Sequence, residues 1–137
     1  MEEFTLRAVG HVSSSVRDLD GAPKQADEGA PEAWLVLDPD LADAYADLAA
    51  GNELVVVTWL HEAERDVLVV HPRSDPARRP TGVFSTRSPA RPNPLGLHTV
   101  RVLAVDGERI HVDALEALDG TPVVDLKPTL ASRHRER

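Results

Sequence analysis

No cysteine occurs in the 137 residues, so neither a disulfide framework nor thiolate chemistry is open to this chain. No apolar run approaches the ~18 residues that would suggest a membrane span, and the N-terminus has no apolar leader core. A soluble, cytoplasmic protein with no membrane partner is the expectation. Gly-rich phosphate loops are missing, as is any strand–Gly-x-Gly–helix unit, which excludes a Rossmann-type site. Neither Ser85 nor Ser88 lies in a Gly-x-Ser-x-Gly elbow. His61-Glu62 lacks the His-Glu-x-x-His spacing of a helical zinc site, and no other ligand cluster is present, so no metal is expected. Internal repeats and low-complexity blocks are absent as well.

What is present fits one domain with a real core; a chain of this length buries roughly two thirds of its unfolded surface. The net charge of −8 argues against a general nucleic-acid binder. The distribution is uneven. Residues 71–101 hold Arg73, Arg78, Arg79, Arg87, Arg91 and Arg101 against Asp75 alone, a local balance of +5. A basic patch on an acidic body can steer one anionic partner without promiscuous sticking; an arginine-rich loop beside an acidic surface would look the same.

Taken in order, residues 4–16 alternate as a first strand, with Gly10 permitting a bend. Residues 17–31 are a punctuated loop. Trp34 to Leu37 is a short strand. Asp38 is an N-cap candidate, Pro39 fits the first turn, and Leu41, Ala44, Tyr45 and Leu48 share one helix face that Gly51 closes. Leu54 to Leu60 is a continuous apolar run, either a strand buried on both faces or a barrel stave. Val67 to Val70 is another strand. Leu97 to Ala114 is a β-hairpin turning at Asp106-Gly107 in a type I′ turn. Val123 and Val124 precede Asp125-Leu-Lys-Pro128. The expected fold is mainly β: a single-domain closed β-barrel with one short helix, over residues 1–130. A flexible C-terminal tail covers 131–137.

The chain is organised around residues 81–97, Thr81-Gly-Val-Phe-Ser-Thr-Arg-Ser-Pro-Ala-Arg-Pro-Asn-Pro-Leu-Gly-Leu97. Val83, Phe84 and Thr86 suggest a strand that leads into a loop. Pro89, Pro92 and Pro94 forbid a helix there, and Ser88, Arg91 and Asn93 are pushed extended by the prolines that follow them. A stiff loop carrying Arg87 and Arg91 is suited to gripping an anion or a planar polar group. With the exclusions above, the chemistry left is positioning and electrostatics by Arg, His, Asp and backbone groups.

This stretch resembles the signature of the TsaA-like (TrmO-type) family of S-adenosylmethionine-dependent methyltransferases. A second block, Leu118-Asp-Gly-Thr-Pro-Val-Val-Asp-Leu-Lys-Pro128, resembles the same family's C-terminal signature. The resemblance runs from Val9 to Pro128 and implies a closed barrel that binds S-adenosylmethionine, in a homodimer. It implies cofactor contacts at Pro23, Lys24, Gln25, His61, Glu62, Arg87, Leu97, Leu118, Asp119, Gly120 and Thr121. The implied acceptor is N6-threonylcarbamoyladenosine of tRNA, methylated on a conjugated nitrogen that needs help losing its proton. His61, Asp119 and Asp125 are the candidate bases, and Arg91 is the first choice to fork the acceptor's carboxylate. Asp125 and Lys127 read equally well as a structural ion pair. Two departures stand out: Ala90 where the pattern expects histidine, and Thr129 where it expects tyrosine. With the acidic charge they leave open a small anionic acceptor on the same scaffold. A non-catalytic S-adenosylmethionine-binding module is the reading from a different class.

Overall fold

The computed structural model describes residues 1–15 and 30–130. The loop reading of 17–31, with Pro23-Lys24-Gln25, falls mostly outside those residues, and the tail 131–137 falls wholly outside them.

Six strands form the body: β1 (Gly10–Ser13), β2 (Ala33–Leu37), β3 (Glu53–Trp59), β6 (Leu95–Asp106), β7 (Arg109–Val112) and β8 (Pro122–Pro128). They pair in the order β1-β2-β7-β6-β3-β8, all antiparallel, and β8 pairs back onto β1. Every strand of this ring has a neighbour on both sides, which removes the exposed edges a sheet would otherwise present. β4 (Val69–Val70) and β5 (Thr81–Gly82) form a separate two-stranded ribbon.

Alternation decides what fills the ring. β2 buries Ala33, Leu35 and Leu37; β3 buries Leu54, Val56 and Thr58; β6 buries Gly96, His98, Val100 and Val102. With Val12, Ile110, Val112, Leu115 and Val123 these make the core. The run from Leu54 is therefore a stave, with every second residue inside.

Several sequence expectations change. The first strand covers only Gly10–Ser13; Phe4 is 84% exposed. Gly10 serves close packing there, since a Cβ would collide with the Val36 carbonyl oxygen. Asp38 does cap, its side chain accepting from the Asp40 amide, but over a 3-10 turn (Pro39–Leu41) that passes into a four-residue helix α1 (Ala42–Tyr45). The expected strand 67–70 shortens to Val69–Val70. Val83–Ser85 is a 3-10 turn and not a strand. In the hairpin Asp106 pairs with Arg109, so Gly107 and Glu108 form the loop. Only Gly107 of the two has positive φ (59°), the type II′ pattern in place of I′.

Candidate active site

Three strand ends meet at one mouth of the ring. Trp59 pairs with Leu95, and Thr58 pairs with Gly96 on one side and Val123 on the other. The Leu60 amide donates to the Pro94 carbonyl (2.8 Å), which delivers His61 and Glu62 beside the start of β6. Both are exposed and make no hydrogen bond among the described residues. The turn Leu118–Thr121 leads directly into β8 at the same mouth.

On the outer surface Leu97, Val57 and Asp125 are in register across β6, β3 and β8. A bulge makes this row. The β3–β8 pairing slips between Val57 and Thr58, so Val57 faces Asp125 while Thr58 faces Val123. Strict alternation after buried Val123 would point Asp125 inward. The extra residue turns Asp125 outward and lets Leu126 pack on the core. Leu97 is 52% exposed, and Arg87 Nη2 donates to its carbonyl at 3.3 Å. Arg87, Leu97 and Asp125 thus share one face. Asp125 Oδ1 accepts from the Leu126 amide; no Asp125–Lys127 ion pair exists among the described residues.

The 83–94 loop is held chiefly by Arg91. Its Nη1 donates to the carbonyls of Thr86 (3.1 Å) and Ser88 (3.0 Å), and its Nη2 to that of Val83 (2.7 Å). Arg65, which sequence reasoning passed over, clamps the other side. Its Nε donates to Pro92 O (2.8 Å), its Nη2 to Asn93 Oδ1 (3.1 Å), and its guanidinium lies 5.0 Å from the Trp59 ring centroid. The loop is stiff from proline and from these carbonyl bonds together.

The second signature closes the mouth. Leu118 and Thr121 are buried, and Thr121 Oγ1 donates to the Leu118 carbonyl (2.7 Å). Gly120 has φ 85°, a conformation L side chains rarely adopt, and its amide donates to Val12 O (2.7 Å). Asp119 Oδ1 accepts from the Ser14 amide (2.9 Å). His61, Glu62, Arg87, Leu97 and Leu118–Thr121 therefore gather at one end of the ring.

The sequence reading missed a chain of polar groups inside that mouth. Thr58 Oγ1 lies 2.7 Å from His98 Nε2, and His98 Nδ1 lies 2.6 Å from Glu116 Oε1. The side chains of His98 and Glu116 are 5% and 11% exposed. Glu116 Oε2 is buried without a hydrogen-bond partner among the described residues. Gly96 makes room for this chain: a Cβ there would sit 2.5 Å from Thr58 Oγ1 and 2.7 Å from His98 Nε2. The signal was available for His98, a histidine in the inward phase of an alternating strand. None existed for Glu116, which arrives from a loop.

The departures from the family pattern separate in space. Thr129 donates through its amide and Oγ1 to the Glu53 carbonyl and Oε1. It therefore lies at the far end of β3 from Trp59, about 20 Å of strand away. Ala90 sits half-buried within the Arg91-held loop.

Residues 11–133 match the family described as the tRNA-methyltransferase O N-terminal domain. A probable S-adenosyl-L-methionine-binding protein of Methanothermobacter thermautotrophicus is 44% identical over 126 residues, 92% of this chain and 90% of that protein. One of Archaeoglobus fulgidus, of the same description, is 42% identical over 123 residues, covering 90% of this chain and 33% of that protein. The crystal structure of TrmO from P. aeruginosa superposes with a TM-score of 0.73 at 26% identity, over 95% of this chain and 56% of that one. The chain thus spans just over half of that TrmO. With a family match over nearly all of its length, this chain belongs to the tRNA-methyltransferase O N-terminal domain family.

Proposed function

We propose that residues 1–130 act as one closed-barrel domain that binds S-adenosylmethionine at the mouth of the ring and transfers its methyl group to the nitrogen of N6-threonylcarbamoyladenosine in tRNA. The carrying observation is the outer row of Leu97, Val57 and Asp125 with Arg87 fixed on the Leu97 carbonyl. Such a surface has an apolar centre, a cation on one side and a carboxylate on another. It suits a zwitterionic ligand with an aromatic base: apolar contact for the ring, arginine for a carboxylate, aspartate for positive charge. The cofactor supplies an already activated methyl group. The work left to the protein is alignment and proton removal.

His61 and Asp125 accept the acceptor's proton in this reading. His61 is exposed and uncommitted among the described residues, and Asp125 uses one oxygen on the Leu126 amide. Leu118, Asp119, Gly120, Thr121 and Glu62 hold the cofactor with Arg87, joined by Pro23, Lys24 and Gln25 as the resemblance implies. Arg91 enters as a positioning residue and no longer as the first choice for the acceptor's carboxylate. Three of its five N–H donors already go to loop carbonyls. A homodimer is the assembled form; exposed Leu68, Val69 and Phe84, joined by the Val83 amide to Leu68 carbonyl bond, offer it an apolar contact.

The net charge of −8 favours a second reading, a small anionic acceptor on the same site. The deciding experiment supplies threonylcarbamoylated tRNA and saturating S-adenosylmethionine and follows label transfer to tRNA. Transfer that falls steeply with added salt supports tRNA. No transfer, with cofactor bound, sinks the tRNA reading and leaves the small acceptor and the non-catalytic binding module.

A further inference from the structure

We infer that Thr58, His98 and Glu116 form a positioning network that sets the conformation of the 113–121 loop, and through it the cofactor turn Leu118–Thr121. The part that concerns cofactor affinity rests on the function proposed above; the part that concerns the loop does not.

The three residues come from three separate segments. Thr58 is on β3, just before the chain turns to His61 and Glu62. His98 is on β6, next to Leu97. Glu116 is in the loop, flanked by fully buried Leu115 and Ala117. The network therefore ties together every described segment that carries a candidate cofactor residue, except the loop of Arg87. The ties are short, 2.7 and 2.6 Å, and lie where water does not compete for them.

Stability alone does not account for the network. A buried carboxylate oxygen without a donor opposes folding, and Glu116 Oε2 is such an oxygen. Buried ionic groups replaced by apolar ones of similar volume often leave a protein as stable or more so. An all-apolar plug would fill the mouth as Leu115, Ala117 and Leu118 already do. What an apolar plug lacks is direction. Hydrogen bonds fix the azimuth of the loop, and Gly96 leaves its own side of the mouth clear for them: any Cβ would press on Thr58 Oγ1 and His98 Nε2 together. The loop's other hydrogen bonds run to the segment before β2, to β6 and to β1 with the residue after it: the Leu115 amide to Pro31 O, the Asp113 pair with Arg101, the Gly120 amide to Val12 O, the Val12 amide to Thr121 O, and the Ser14 amide to Asp119 Oδ1. None of these bonds reaches β3; among the described residues the Thr58–His98–Glu116 bonds do.

Two variants of the whole chain test this by amide hydrogen exchange: the triple variant Thr58→Val, His98→Leu, Glu116→Leu, and Glu116→Gln, which keeps an acceptor for His98 Nδ1. Exchange at Leu115, Gly120 and Thr121 should quicken at least about tenfold in the triple variant, the scale of one lost hydrogen bond to a charged group. The amides of Val56, Val100 and Ile110 should stay as protected as in the parent. Glu116→Gln should keep the loop near its parent rates. Loop exchange that is unchanged, that rises equally in the core, or that rises as much in Glu116→Gln would overturn the inference. Titration calorimetry with S-adenosylmethionine adds the functional arm: the triple variant should bind about tenfold more weakly at unchanged melting temperature, and equal binding refutes the role in affinity. Parent protein that binds no cofactor, yet shows the exchange pattern, would defeat the proposed function and leave the network standing.

Discussion

The two mouths of the strand ring are built on opposite principles. At one, Leu37, Tyr45 and Leu54 close the core, backed by half-buried Leu41 and Leu48 from the 3-10 turn and the segment after α1. At the other, Thr58, His98 and Thr121 are buried beside Leu118 and Val123, with the nearly buried Glu116 bonded to His98. Apolar closure needs only volume and shape, so it tolerates a short helix and irregular turns. Polar closure needs each partner at bonding distance, so it demands a glycine at 96, a bulge at Val57/Thr58 and a loop pinned by carbonyl bonds. The exacting end is the end that carries both sequence signatures. Precision is concentrated where a ligand would be aligned.

Breaking the apolar mouth should produce the largest loss of stability and the least specific one. Leu54→Ala should cost about 2–5 kcal/mol by urea unfolding while leaving cofactor affinity unchanged in the folded fraction. Gly96→Ala attacks the other mouth from within. Overpacking against Thr58 and His98 should cost about 1–3 kcal/mol and should also weaken cofactor binding, which separates it from Leu54→Ala. Arg91→Ala should cost about 1–2 kcal/mol, because three loop carbonyls lose a charged donor, and limited proteolysis should then cut within 83–94. Arg87→Ala should hardly change stability, since its one hydrogen bond among the described residues is exposed and 3.3 Å long, but should weaken S-adenosylmethionine binding about tenfold by calorimetry. Tyr45 gives the smallest effect. Burial first, then Glu108 and Asp38, raise its hydroxyl above its ordinary 10.0. The folded state therefore holds this proton more tightly than the unfolded state. Stability from it is complete below pH 10 and fades as pH rises further, and Tyr45→Phe should remove that fading from a pH series of melting curves.

How much of this was legible in the sequence follows the same division. The ring's staves announced themselves: Leu54 to Leu60 runs apolar and the hairpin expected over Leu97 to Ala114 alternates, its strands standing at Leu95–Asp106 and Arg109–Val112, and the alternation that buried Val100 and Val102 also buried His98. The Asp38-Pro39 cap was legible because capping is local chemistry. Residues 4–8 misled because a short apolar alternation forms no strand without a partner; the last backbone bonds to β8 and to Asp38 are made by Val9. Val83 and Phe84 misled because their β propensity yields to the turn that Arg91 bonds together. The outward aim of Asp125 depends on a bulge, and no local pattern announces a bulge. Arg91 reads in the sequence as a ligand-gripping residue because its three carbonyl partners are backbone groups, which sequence does not distinguish.

The most direct measurement is a titration of S-adenosylmethionine into isotopically labelled protein, followed residue by residue through backbone amide shifts. The account predicts saturable changes at Val57, His61, Glu62, Arg87, Leu97, His98 and Leu118–Thr121, with Tyr45, Gly51 and Leu54 unmoved. Changes centred on the apolar mouth, or none at saturating cofactor, would contradict it.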